Sequence, residues 1–202
     1  MIRAYNLFNE IISSSKDSIA IYDYLVEQMR VPFDCSDILR WQWAQSVSAF
    51  DKLIHDLVRL GMIEICQRKR PATSKYNSFK LSLESINSVL DEESDITSTL
   101  EQSVFAQHGF LSFQDPSKVN DALSLFWDEQ FKWQAISSYL GESEKVVRTQ
   151  LKNIVIRRNQ IVHEGDFSND TYGRQVIEKQ DAIYVVNFIS ELGTAVYNLV
   201  KL

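Results

Sequence analysis

Asn153-Ile154-Val155-Ile156-Arg157-Arg158-Asn159-Gln160-Ile161-Val162-His163-Glu164-Gly165-Asp166 decides how the rest of the chain is read. Two arginines, an asparagine and a histidine fall within seven residues, among isoleucines and valines suited to burial. The stretch reads as the end of a long helix that begins near Ser143 and stops at Gly165. At about 100° per residue, Asn159 and His163 share one face. Arg158, five positions before His163, lies roughly 140° away around the axis. A long, bending arginine side chain or a second copy of the helix is needed to bring both groups to one target.

Working outward, the next informative helix starts at the capping residues Asp34 and Ser36 and is expected to end at Gly61. Leu39, Trp43, Val47, Phe50, Ile54, Leu57 and Val58 form its apolar face. Asp51 and His55 on the other stripe are four apart and able to pair. Ahead of it, Ala4 to Met29 reads as a packing helix with an expected break at the serines 13–15, stopped by Pro32. The final helix, Glu178 to Leu202, is apolar around more than one face and must be covered by the core or by another subunit.

Between these lie weaker signals. Gln67-Arg68-Lys69-Arg70-Pro71 reads as a basic turn whose Arg68, Lys69 and Arg70 are candidate RNA-guiding residues. Thr73 to Leu83 alternates like a loop or short extended piece. Ser85–Glu93 and Ile96–Ala106 read as two short helices with acidic, serine-rich joints. His108 has no ligand-like companion and reads as structural. Asp115-Pro116 opens a helix through Leu123, Phe126 and Trp127, followed by an aromatic run from Phe131 to Leu140. The tryptophans at 41, 43, 127 and 133 are read as packing residues. The expected fold is all-α: a single up-and-down helical domain over residues 1–202, with an insertion at about 62–115.

Composition narrows the classes. Of 202 residues, 45% are apolar and 11% aromatic, enough for a packed interior and against wholesale disorder. Cys35 and Cys66 form no close pair, which argues against a disulfide framework and for a reducing compartment. No charged-then-apolar leader and no uninterrupted apolar run of membrane-spanning length is read, so a soluble, cytoplasmic protein without a membrane partner is expected. The net charge of −6 argues against broad, sequence-blind coating of nucleic acid. From Glu144 to His163, however, five basic residues stand against one acid, leaving +4 there and −10 elsewhere. Such a helix on an acidic body can guide phosphate to one place, with Arg148 and Lys152 as candidate RNA contacts.

An arginine, an asparagine, three residues and then a histidine form the pattern of HEPN-domain ribonucleases. The run from Arg158 to Asp166 resembles the signature of the RiboL-PSP branch, and Trp43 to Val58 resembles that branch's second helix. With the terminal helix, the similarity covers about half the chain in the right order. The resemblance implies a HEPN-type bundle and metal-independent endonucleolytic cleavage of RNA, leaving a 2′,3′-cyclic phosphate and a 5′-hydroxyl. It implies Arg158, Asn159 and His163 as the reacting set, with Arg157 as rival phosphate clamp, Asp51 orienting Arg158 and His55 in support. It also implies a homodimer with a composite active site, and an antitoxin or defence-system partner restraining a toxin or phage-defence effector. No cofactor or metal is expected; Glu164 and Asp166 lack a second convergent histidine or cysteine. Some HEPN toxins carry a tyrosine two residues after the histidine, modified by a partner nucleotidyltransferase. Gly165 stands there, so that control is not expected. The competing readings are a catalytically silent dimerisation or RNA-binding bundle and a nucleotide-sensing helical domain.

Chemistry agrees with the pattern. RNA carries its own nucleophile, the 2′-hydroxyl, so cleavage needs a base, a charge clamp and in-line geometry. Histidine titrates near working pH, and arginine stays charged with donors in a fixed fork.

Overall fold

The computed structural model describes residues 1–168 and 173–202, and among them the chain is helical with no strand; Phe167 and Arg174 form an isolated bridge. The helices are α1 (Ile2–Asp23), α2 (Ser36–Cys66), α3 (Ser74–Asn77), α4 (Leu83–Leu90), α5 (Ile96–His108), α6 (Pro116–Leu123), α7 (Lys132–Leu140), α8 (Glu144–Glu164) and α9 (Lys179–Val200). A π-helical turn, Tyr24–Gln28, extends α1. The centre is α2 packed on α1 and α9, with α7 against α9 and α8 against α2.

α2 is central because its apolar residues recur on more than one face: Leu39, Val47, Phe50, Ile54, Leu57, Val58 and Met62 are fully buried. α9 contributes Ala182, Val185, Ile189, Leu192 and Val196 to the same core. By length and composition α9 is also apolar enough to cross a bilayer, although polar residues interrupt its apolar run; half of its most apolar window is buried in the bundle.

The serines at 13–15 do not break α1. The Ser15 and Ser18 hydroxyls donate to the carbonyls of Ile11 and Ser14, four residues back, so the backbone ladder continues past them. Residues 73–83 are a loop interrupted by one turn of helix: Thr73 caps α3 by accepting the Tyr76 N–H, and residues 79–82 carry no regular structure. The helix opened by Asp115-Pro116 ends at Leu123, before Phe126 and Trp127.

Gly61 does not terminate α2, which runs on to Cys66. A Cβ at Gly61 would lie 2.2 Å from the Phe126 ring, so this glycine serves close approach of the segment after α6. Two terms oppose one another in Gly61→Ala: about 1 kcal/mol of helix propensity gained, and about 1–3 kcal/mol of overpacking against a fully buried ring. Overpacking is expected to win, so thermal denaturation of Gly61→Ala should show a lowered Tm. A raised Tm would mean that Phe126 yields.

His108 sits between the Phe79 and Phe113 rings, with its Nδ1 buried and unpartnered among the described residues. Burial first, then the nearby His55 and Lys75, holds its imidazole below the ordinary 6.5. The unfolded chain therefore binds this proton more readily than the folded one. Its contribution to stability is complete above about pH 6.5 and is lost as pH falls from there towards the depressed value. Tm should fall between pH 7.5 and 5.5, with a smaller fall in His108→Phe. Equal slopes in both proteins would remove His108 as the cause.

Candidate active site

α8 is bounded as its sequence dictates. The Ser143 side chain accepts the Val146 N–H at its start, and Gly165 closes it in the left-handed region (φ 63°). Only Val147, Leu151 and Ile154 of α8 are buried. Past Val155 the helix leaves the apolar core and carries its polar signature outward. Trp43 ties α2 to this point, its indole N–H donating to Ile154 O at 3.0 Å. Trp133 likewise donates to Pro116 O, whereas Trp41 is exposed and departs from the packing role expected of all four.

Arg158, Asn159 and His163 line one groove of about 430 Å³ with Lys152, Val155 and Ile156 of α8 and with Ser112, Gln114, Asp115 and Lys118 opposite. The 140° separation is thus bridged within one chain by the reach of the arginine. An Nη1 of Arg158 donates to Asn159 Oδ1 at 2.9 Å, so the asparagine holds the guanidinium. His163 is exposed. Asp115, in the same groove, is held below the ordinary carboxylate range, chiefly by the Ser117 hydroxyl, and so keeps its negative charge at neutral pH. Two lysines and Arg158 outnumber it.

Arg157 points elsewhere. Its guanidinium lies 2.9 Å (Nε to Oδ1) and 3.0 Å (Nη2 to Oδ2) from the fully buried Asp166. It also donates to Gln175 Oε1 at 2.7 Å and Val176 O at 3.1 Å. On the other side of Asp166, the buried Arg40 donates from Nε to Oδ2 at 2.7 Å and from Nη2 to Gln175 O at 2.7 Å. An arginine–aspartate–arginine clasp therefore closes the end of α8, and as rival phosphate clamp Arg157 is corrected to a structural tie.

Asp51 does not hold Arg158. Its two carboxylate oxygens accept the Phe113 N–H at 2.6 Å and the Gln114 side-chain amide at 3.1 Å, because residues 113 and 114 pass directly over this part of α2. Asp51 shapes the groove through Gln114, one of its lining residues. The expected Asp51–His55 neighbourhood is present at 3.8 Å. His55 lies 3.2 Å from Leu111 O and against the Phe113 ring at 4.4 Å, outside the groove.

The other basic candidates separate. Lys152 lines the groove. Arg148 pairs with Glu144 at 2.8 Å and borders a different hollow, beside Phe131 and Trp133. Arg70 is committed to structure: it pairs with Glu64 at 3.0 Å, donates to Val200 O at 2.6 Å and lies over the Phe126 ring. As an RNA contact it is corrected, since these bonds tie the end of α2 to the end of α9. Arg68 and Lys69 are exposed in that turn, away from the groove lining. Sequence reading missed Lys118, Gln114 and Arg40. Lys118 carried a signal, one turn into a well-capped helix; Arg40 looked like any polar residue of α2.

A helical bundle that offers an arginine, an asparagine and a histidine from one helix end into a basic groove is a HEPN-type bundle. The chain belongs to the RiboL-PSP-HEPN family, whose model matches residues 5–201. No curated protein and no solved structure matches the chain. Membership points to a ribonuclease or nucleotide-binding role, and HEPN domains commonly dimerise and bind RNA.

Proposed function

We propose that the protein is a metal-independent endoribonuclease, acting as a toxin or phage-defence effector under the restraint of a partner. The observation that carries this reading is the joint placement of Arg158, Asn159 and His163 in one groove, with Lys118 and Lys152 beside them. His163 takes the proton of a ribose 2′-hydroxyl, and that oxygen attacks the adjacent phosphorus. The P–O5′ bond breaks, leaving a 2′,3′-cyclic phosphate, and the departing 5′-oxygen is protonated to a hydroxyl. Arg158 meets the charge that accumulates on the phosphoryl oxygens.

His163 makes no hydrogen bond or ion pair among the described residues, so none of them holds its ring directly. Ile156, just before the signature, and Val162, within it, are exposed on α8. A second copy packed there would cover this apolar surface and supply an opposing histidine to protonate the 5′-oxygen. A catalytically silent RNA-binding or dimerisation module is the second reading, favoured by the same lack of a direct hold on the ring. RNA incubated with the protein in excess chelator separates the two: cyclic-phosphate ends support the ribonuclease, and intact RNA in the presence of bound protein supports the silent module.

A further inference from the structure

We infer that Arg40 and Asp166 are positioning residues for His163, acting through the clasp they form with Arg157; the inference rests on the ribonuclease reading for its kinetic consequence. The apolar anchors of α8 stop at Ile154 and the half-buried Val155, and none of its later residues is buried. The nine residues from Ile156 to Glu164, which carry the signature, therefore lie beyond the core's hold. An exposed helix end with so few apolar contacts frays and twists readily.

The clasp replaces the missing core. Arg157 and Asp166 bracket Arg158, Asn159 and His163 in sequence, and Arg40 anchors both to the central helix α2. Gln175 adds a further tie, from its amide to Gln160 Oε1 at 3.3 Å, while its backbone N–H donates to Asp166 O at 2.8 Å. The N–H groups of Gly165 and Asp166 both donate to Gln160 O. Asp166 itself is left-handed (φ 66°), a conformation that aspartate and asparagine tolerate better than most residues. A buried carboxylate shared by two guanidiniums has few alternative geometries. It therefore sets the rotation of the last turn of α8 about its axis, and with it the direction of the imidazole.

Asp166→Asn tests this, because asparagine keeps the shape and the left-handed backbone while removing the charge. The chain has three histidines, so their ring signals are readily assigned by NMR. The His163 signals should shift or broaden in Asp166→Asn and in Arg40→Met, with those of His55 and His108 unmoved. In RNA cleavage well below each variant's Tm, kcat should fall about 100-fold, with KM within about twofold, since Lys118 and Lys152 of the groove lie outside the clasp. Arg40→Lys, which keeps the charge but not the fork, should fold and fall between the two; it carries the test if Asp166→Asn does not fold. Unmoved His163 signals with wild-type kcat would overturn the inference. So would a shift shared equally by all three histidines, the mark of a general loosening. If the His163 signals move but the wild-type protein leaves RNA intact in chelator, the clasp stands and the ribonuclease reading falls.

Discussion

His163→Ala is expected to abolish RNA cleavage in excess chelator without altering the melting curve. Removal of a general base costs about 10²–10⁴-fold, and His163 is exposed, with no protein partner among the described residues to lose. Arg158→Ala should lose about 10²–10³-fold by withdrawing charge from the phosphoryl oxygens, again with Tm nearly unchanged. Arg157→Ala should differ by lowering Tm as well as kcat. Its side chain is bound to Asp166, Gln175 and Val176, so its loss lowers Tm before it touches substrate binding. The three variants, measured side by side with a labelled single-stranded RNA and by thermal denaturation, distinguish clamp from tie. Cleavage by His163→Ala at the wild-type rate would end the mechanism.

The second large effect is on stability. Asp166→Ala leaves the buried Arg40 and the largely buried Arg157 facing each other without the carboxylate between them. Breaking a buried pair from one side costs about 3–5 kcal/mol, most of it the penalty of an uncompensated charge. For a chain of this length that corresponds to a Tm lowered by on the order of 10 °C. Alanine also fits the left-handed backbone less well than aspartate, which adds in the same direction. Urea denaturation of the two proteins measures the difference. A loss under about 1 kcal/mol would show that water or a neighbouring side chain rescues the two guanidiniums.

Much of the architecture was legible from local physics. The bounds of α8 follow from Ser143 and Gly165, and the start of α6 from Asp115-Pro116, because caps and breakers act within a few residues. The apolar spacing of α2 and α9 announced the two helices that dominate the core. Gly61 misled because a glycine that admits a neighbouring ring looks, in sequence, like a glycine that ends a helix. The serines of α1 misled because their hydroxyls bond back along the helix and do not compete with it.

By itself, the sequence determined the helical class, the helix that bears the signature and the placing of Asn159 and His163 on one face, all consequences of spacing along a single helix. Only the tertiary structure decided which of two adjacent arginines faces the groove. That choice depends on partners far away in the chain: Arg40, 126 residues before Asp166, and Gln175, 18 residues after Arg157. It likewise assigned Asp51 to Gln114 and brought Lys118 to the opposite wall. Helical periodicity is a short-range property, whereas the commitment of a buried charge is settled by whichever opposite charge the packed chain delivers to it.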